Sequence, residues 1–227
     1  MNTLSTSLQS DECSIDSADL QELAKYTEEQ YAIDQKTIAD SHYIILVTGL
    51  SGAGKTTLMS NILKSIPEIH KPIPHTNRSI RPWEIDGQTL CAMTVEQIEA
   101  IMGAPQNTSA VPILEHIWDL RYLFKIPSNV TTILDPSVAV PEIRQKFPWK
   151  TCLVWVNVPY IDAFERAGKR WDSLDVRLGR FGAHRLNAGF VPNSKRYDVL
   201  VCGTLDPEKV AKLTIKKIAE FIRKQAS

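Results

Sequence analysis

The sequence predicts an α/β domain built on a central parallel β-sheet. Residues 42–49 (HYIILVTG) and 151–157 (TCLVWVN) are continuous apolar runs rich in β-branched side chains, typical of parallel strands that are covered on both faces. A glycine-rich segment follows the first run and leads directly into an amphipathic stretch, TTLMSNILKSI. Similar apolar runs predict two more strands, at 130–134 and 197–201. Similar helical patterns predict a short helix after Thr94 and a terminal helix at 206–225. This alternation of strands and helices indicates one α/β domain.

The overall composition limits the classes of function. The chain has 227 residues, with 26 Lys and Arg against 26 Asp and Glu, so its formal net charge is zero. A neutral chain has no long-range field to draw it onto nucleic acid or an anionic membrane, although a local basic cleft is compatible with neutrality. No run approaches the roughly 20 apolar residues that span a bilayer. With four widely spaced cysteines and no segment resembling a signal peptide, we expect a cytoplasmic protein without membrane partners.

Charge is distributed unevenly along the chain. Residues 1–40 contain nine acidic and two basic residues, so the neutral total hides an acidic N-terminal extension and a basic body at 41–227. The first 15 residues have scattered apolar positions and are expected to be disordered. A helix is predicted over about 18–38, packed on the body or pairing with a second copy or another partner. We also hypothesise that the acidic extension shields a basic cleft.

One motif identifies a phosphate-binding site. Residues 49–56 (GLSGAGKT) fit G-x-x-x-x-G-K-[ST], between a buried strand and a helix. The glycines let backbone N–H groups turn toward phosphate oxygens, and the helix N-terminus adds partial positive charge. Lys55 would reach the β- and γ-phosphates and Thr56 would ligate Mg²⁺, so the motif predicts ATP as phosphoryl donor with a Mg²⁺ cofactor. The predicted ATP-binding residues are Gly49, Leu50, Ser51, Gly52, Ala53, Gly54, Lys55, Thr56 and Thr57.

A second polar segment lies downstream at 75–87 (HTNRSIRPWEIDG). Arg78, Arg81 and Glu84 follow one another at three-residue spacing, and the nearby Pro and Gly indicate a loop. Arginine forks match phosphate oxygens bidentately, and a glutamate accepts hydrogen bonds from a base or hydroxyl. Taken alone, the segment also fits a solvated charged turn.

Together, the two segments resemble a known family. A loop of the form GxSGxGKTTL, followed by T-x-R-x-x-R-x-x-E-x-D-G, is similar to the guanylate kinases over roughly residues 43–222. The resemblance implies a P-loop NTPase-type three-layer domain with an acceptor-binding insertion near 74–125 and a lid near 162–190. It also implies ATP-dependent phosphoryl transfer to a nucleoside monophosphate of the GMP or dGMP type. Arg78 and Arg81 would grip the acceptor phosphate, with Glu84 in the same binding segment.

The same resemblance assigns roles to residues further along the chain. It implies that Glu115 reads the guanine edge and that Tyr122 binds the acceptor phosphate. Asp135, at the end of a strand, would lie near the acceptor or hold Mg²⁺ through water, as carboxylates at strand ends do in P-loop enzymes. The segment 162–185, within the implied lid, is densely basic; taken alone, it would equally fit a solvated, salt-bridged helix pair. The implied catalytic residues are Lys55 and the lid arginines Arg170, Arg177 and Arg180.

Departures from the family pattern keep the acceptor open. Leu90 and Ala92 replace an expected tyrosine and phenylalanine, Pro74 replaces a serine, and residues 202–204 (CGT) replace the usual Asn-Asp. The alternatives are a kinase for ribose 1,5-bisphosphate, for another nucleotide or for a base in nucleic acid. A non-catalytic binding module is a third class, which the intact Lys55 and Thr56 disfavour.

Overall fold

The core of the molecule is a four-stranded parallel sheet, as the sequence predicts. A computed structural model describes residues 17–81, 84–104, 109–117, 119–136, 139–169, 174 and 197–227. The strand order is β6-β1-β7-β8, and all three neighbouring pairs run parallel. The strands are β1 (Ile44–Gly49), β6 (Thr132–Leu134), β7 (Thr151–Asn157) and β8 (Val199–Cys202). Because all four run in one direction, their carboxyl ends meet at one edge of the sheet.

Helices cover the apolar faces of this sheet. Every residue of β1 is buried, and Ile45 pairs with Ile133 of β6 and with Cys152 of β7. The helices around the sheet are α3 (Lys55–Ser65), α5 (Val140–Lys146), α6 (Tyr160–Gly168) and α7 (Pro207–Ala226). The core between α3, α7 and the sheet includes Ile62 and Ile218, neither of which is exposed at all. Continuous apolar strands are therefore explained by burial on both faces.

A smaller sheet projects from the central domain, within the range predicted for the acceptor-binding insertion. Its order is β3-β2-β5-β4, with a long antiparallel β4–β5 hairpin. Its elements are β2 (His75–Thr76), β3 (Cys91–Ala92), α4 (Val95–Gly103), β4 (Ala110–Ile117) and β5 (Leu120–Pro127). Thr94 begins α4 with a capping box to Gln97, which satisfies two otherwise unpaired N–H groups. The described parts of the polar segment after β2, residues 77–81 and 84–90, contain no helix or named strand, and Gly87 has a positive φ of 73°, which fits the loop predicted there.

The N-terminal extension differs from the single helix predicted over 18–38. It forms two helices, α1 (Ser17–Lys25) and α2 (Glu28–Ala39). The helix breaks because Thr27 adopts an extended conformation and starts α2 with a capping box to Gln30. Tyr26, at the break, turns inward and donates a hydrogen bond to the buried carboxylate of Asp34.

The extension packs on the body, which is one of the arrangements predicted for it. Ile38 of α2 has no exposed surface and lies in the main core cluster. Three acidic side chains of the extension form ion pairs with α7, namely Glu22 with Lys216, Glu28 with Lys212 and Asp34 with Arg223. These three acids are thus bound to α7, and the shielding of a basic cleft by the extension stays a hypothesis. The domain boundary near residue 40 stays a prediction.

Some element boundaries differ from those predicted. β1 begins at Ile44 because His42 has a positive φ of 56°, which interrupts the extended chain. β6 begins at Thr132, and Thr131 before it donates its hydroxyl to the carbonyl of Ile38. Within the described ranges, no helix is long and apolar enough to cross a membrane.

Candidate active site

The phosphate-binding motif forms a loop at the carboxyl end of β1. Gly49, Gly52 and Gly54 all have positive φ values, of 142°, 85° and 95°, a region that favours glycine. A Cβ added at Gly52 would lie 2.1 Å from the carbonyl oxygen of Ala163, so α6 packs directly on the loop backbone. A Cβ at Gly54 would meet nothing within 4 Å, so this part of the loop faces open space.

Lys55 is held at the mouth of this loop. Its Nζ donates hydrogen bonds to the carbonyls of Gly49, at 2.9 Å, and Leu50, at 3.1 Å. The same nitrogen lies 3.8 Å from Oδ2 of Asp135, which follows the neighbouring strand β6. Thr56 and Thr57 are exposed in the first turn of α3. The structure therefore brings Asp135 beside Lys55 and its neighbour Thr56, although Asp135 follows Lys55 by 80 residues in the sequence.

Asp135 places an acidic group beside the lysine of the phosphate-binding loop. Its side chain keeps 31% of its accessible surface, so it is partly buried. Burial raises the pKa of Asp135, and the charges of Lys55 and Lys71 oppose that rise. No group of three or more His, Cys, Asp or Glu side chains among the described residues could form an all-protein metal site. One hydroxyl and one carboxylate nevertheless match the donors that Mg²⁺ takes when substrate phosphates and water complete its shell.

A cavity of about 500 Å³ opens beside the loop, and sequence reasoning did not identify it. Its walls are largely apolar, with two cations, Arg166 of α6 and Lys169 directly after that helix. The lining residues are Gly52, Ala53, Gly54, Thr57, Leu58, Val156, Arg166, Lys169, Gly203, Leu205, Pro207 and Val210. An apolar pocket that joins a phosphate-binding loop suits the flat base and the sugar of a nucleotide.

Arg166 is fixed at this cavity by the backbone after β8. Its Nη1 donates to the carbonyl of Gly203 at 3.0 Å. A Cβ at Gly203 would lie 2.7 Å from the carbonyl oxygen of Ala53, so this segment approaches the phosphate-binding loop closely. The signal for this contact was the glycine at the position where the family pattern has an Asn-Asp pair. The need for a glycine at this position becomes clear only when the segment after β8 is seen to pack against the phosphate-binding loop.

The second polar segment contains a two-pronged ion pair. Both terminal nitrogens of Arg78 donate to the two carboxylate oxygens of Glu84, one of them at 2.7 Å. Glu84 also accepts a hydrogen bond from the backbone N–H of Arg81 at 2.8 Å. The hydrogen bond from Arg78 lowers the pKa of Glu84, and the same bond raises the pKa of Arg78. The predicted cluster of Arg78, Arg81 and Glu84 is therefore a connected unit in which the carboxylate organises the arginines.

Two predicted acceptor residues lie opposite each other on the small sheet. Glu115 of β4 is the register partner of Tyr122 of β5, and Tyr122 interacts with the guanidinium of Arg78. Glu115 is only 2% exposed and accepts a hydrogen bond at 2.9 Å from the backbone N–H of Ala139, just before α5. Its carboxylate therefore also joins the small sheet to the central domain. Its role in reading a base stays a prediction.

The departures from the family pattern have a structural counterpart. Leu90 is only 2% exposed, so an apolar side chain is buried at this position, just before β3. Ala92 donates its N–H to Asp86 at 2.9 Å, which closes the turn of the polar segment. Trp83 and Pro82 in this segment, and the predicted lid residues Arg170, Arg177 and Arg180, lie outside the described residues.

Comparisons with known proteins agree with this geometry. No family model matches the chain. A guanylate kinase from Aromatoleum aromaticum is 38% identical over 145 residues, which cover 60% of this chain and 70% of that protein. A guanylate kinase from Geobacter sulfurreducens is 24% identical over 186 residues, covering 79% and 90% of the two chains.

The fold is shared with a solved structure. The crystal structure of guanylate kinase from Anaplasma phagocytophilum superimposes with a TM-score of 0.51 and 15% identity, covering 80% of this chain and 85% of that one. That likeness supports the three-layer α/β domain. The sequence match to the Aromatoleum protein carries the family assignment, because it combines substantial identity with broad coverage. The chain belongs to the guanylate kinase family and is a kinase of the P-loop type.

Proposed function

We propose that this kinase transfers the γ-phosphoryl group of ATP to the phosphate of a nucleoside monophosphate of the GMP or dGMP type. The observation that carries the proposal is the position of Lys55, held at the mouth of the glycine loop and 3.8 Å from Asp135. Such an ammonium group can bind terminal phosphate oxygens and stabilise the charge that develops during transfer. The guanylate kinase names of the relatives support the GMP-type acceptor.

The donor half of the site supports ATP as the phosphoryl source. The loop would cradle the phosphates with backbone N–H groups, and the adjoining cavity would hold the base and ribose. Arg166 and Lys169 bring positive charge to the cavity edge. The Thr56 hydroxyl and, through water, the Asp135 carboxylate would hold Mg²⁺, which would supply positive charge to neutralise the phosphates.

The acceptor half supports binding of a phosphate group. Arg78 and Arg81 are the two cations of this segment, and the guanidinium of Arg78, which is paired with Glu84, also interacts with Tyr122. An acceptor phosphate is already ionised at neutral pH, so the protein needs no strong general base to activate it. Its residues have to place the acceptor in line with the γ-phosphorus and neutralise charge. In this proposal, Arg81 assists Arg78, while Arg170, Arg177 and Arg180 close over the phosphates from the lid.

A second acceptor class is favoured by one observation. Leu90 is buried and apolar where the family pattern has a phosphate-binding tyrosine, so this position supplies no hydroxyl. Losing one such hydrogen bond costs about 1–3 kcal/mol of acceptor affinity when nothing replaces it. The site could then prefer another phosphorylated acceptor, such as ribose 1,5-bisphosphate or a modified nucleotide.

An acceptor panel tests the proposal. Purified protein with ATP and Mg²⁺ is assayed for ADP release on the four nucleoside monophosphates, their deoxy forms, ribose 1,5-bisphosphate and oligonucleotides. We expect the highest kcat/KM on GMP or dGMP. A maximum on ribose 1,5-bisphosphate would replace the proposed acceptor by the second class, and no turnover on any acceptor would support a non-catalytic binding module.

One variant separates the two halves of the site. Arg78→Ala should raise the acceptor KM and lower kcat while leaving the KM for ATP nearly unchanged. Arg144→Ala is a matched control, because Arg144 also pairs with a carboxylate, Asp198, but lies at the far end of the sheet. A collapse of ATP affinity in Arg78→Ala alone would contradict this division of the loops.

A further inference from the structure

The polar segment that begins at Asn77, which we call the acceptor loop, leaves the small sheet where the short pairing of β2 with β5 ends. β2 pairs with β5 over two residues only, His75 with Leu123 and Thr76 with Tyr122. Asn77 comes next, where the chain leaves the sheet. Its Oδ1 accepts a hydrogen bond at 2.7 Å from the backbone N–H of Arg121, and its Nδ2 donates at 3.3 Å to the carbonyl of Asp119. The pairing of β2 with β5 is thus continued by one amide side chain.

The two partners fix the chemistry that this position requires. Arg121 offers a donor and Asp119 offers an acceptor, so the side chain between them has to accept and donate at once. The amide of asparagine does both within a short reach. Alanine does neither, and a carboxylate would bring negative charge against the carbonyl of Asp119.

This attachment lies next to the arginine that would bind the acceptor phosphate. The backbone N–H of Arg78 donates to the hydroxyl of the fully buried Thr76 at 3.3 Å. The side chain of Arg78 contacts Tyr122 and Glu84. Arg121 is itself anchored to α4, because its guanidinium pairs with Glu99. Asn77 therefore lies directly before Arg78 and helps to fix the point at which the chain that carries Arg78 leaves the sheet.

We propose that Asn77 is a positioning residue of the acceptor site, whose amide ties the acceptor loop to the β4–β5 turn and thereby fixes Arg78. This inference rests on the proposed function, since it assigns Arg78 to the acceptor phosphate. It predicts a defect in acceptor use that is separate from donor use. It also predicts that the defect depends on Arg78.

The experiment is a double-mutant cycle in acceptor KM, measured with the best acceptor of the panel and saturating ATP. Asn77→Ala is expected to raise acceptor KM about tenfold and to change ATP KM less than about twofold. In an Arg78→Ala background, the same change should raise acceptor KM less than about twofold, because residues that act as a unit are not additive. Asn129→Ala, an exposed asparagine beyond the other end of β5, is the control and should match the wild type.

Asn77→Gln completes the series and keeps the test decisive if the alanine variant is poorly folded. Glutamine retains the amide on a longer stem that displaces it from its two partners, so the acceptor KM of Asn77→Gln should rise by about three- to fivefold, less than that of Asn77→Ala. An acceptor KM within about twofold of wild type in Asn77→Ala, or in Asn77→Gln when only that variant folds, would overturn the inference. An equal rise with and without Arg78 would also overturn it. Inactivity of the wild type on every acceptor would instead refute the proposed function.

Discussion

The contact between the phosphate-binding loop and α6 provides the most quantitative prediction. In Gly52→Ala, the new Cβ would lie 2.1 Å from the carbonyl oxygen of Ala163 and 3.2 Å from the backbone nitrogen of Ala167. Both are backbone atoms of α6, which cannot rotate away as a flexible side chain can. The loop and the helix would have to separate, and Arg166 would move with the helix.

The magnitude follows from comparison with a second glycine. Gly87 also has a positive φ, 73°, but a Cβ there would meet nothing within 4 Å. Gly87→Ala therefore pays only the cost of a left-handed alanine, about 1–2 kcal/mol. Gly52→Ala has a similar φ of 85° and adds overpacking of about 1–3 kcal/mol. For a chain of this size, that difference corresponds to a Tm about 2–12 °C below that of Gly87→Ala.

Two assays check this prediction. Thermal unfolding followed by circular dichroism compares the Tm values of wild type, Gly87→Ala and Gly52→Ala. Steady-state kinetics should show a higher KM for ATP only in Gly52→Ala, because only that change disturbs the donor cavity. Equal Tm losses in the two variants, with an unchanged KM for ATP, would refute the packing of α6 on the loop.

Three further predictions concern charged groups of the site. Lys55→Ala should lower kcat by about 100- to 1,000-fold with little change in Tm, because it removes a group that stabilises transition-state charge. Undiminished turnover would show that Lys55 has no catalytic role. Asp135→Asn should lower kcat yet leave Tm unchanged or raised, because burial disfavours the charged carboxylate; a clear loss of Tm would contradict that reasoning. Arg78 lowers the pKa of Glu84 below its ordinary 4.5, so their pair stabilises the fold above about pH 4.5 and loses that effect as the pH falls through the lowered value. Glu84→Gln should therefore cost stability at pH 7 but progressively less in acid, and a Tm difference independent of pH would contradict the pairing.

The features that depend on neighbouring residues in sequence were predictable. A buried strand, a glycine loop and a helix follow one another within residues 42–66, so local sequence contains the whole phosphate-binding motif. The break between α1 and α2 also had a local signal, because Thr27 and Gln30 have the spacing of a capping box. Apolar residues on both sides of that signal favoured one continuous helix, and the prediction of a single helix was wrong.

The features that depend on tertiary contact were not predictable from one sequence. Glu115 bonds to the backbone of Ala139, 24 residues later, and no local pattern indicates that partner. Arg166 belonged to a basic stretch in the sequence, but its place at the donor cavity depends on α6 packing against Gly52. Asn77 likewise has no distinguishing neighbours until β5 is brought beside β2.

The most direct test of the central claim follows the phosphoryl group itself. Wild-type protein is incubated with γ-labelled ATP, Mg²⁺ and GMP, and the products are separated by chromatography. We predict that the label appears in GDP in proportion to the ADP formed. Label found only in inorganic phosphate, or remaining in ATP, would contradict transfer to a GMP-type acceptor.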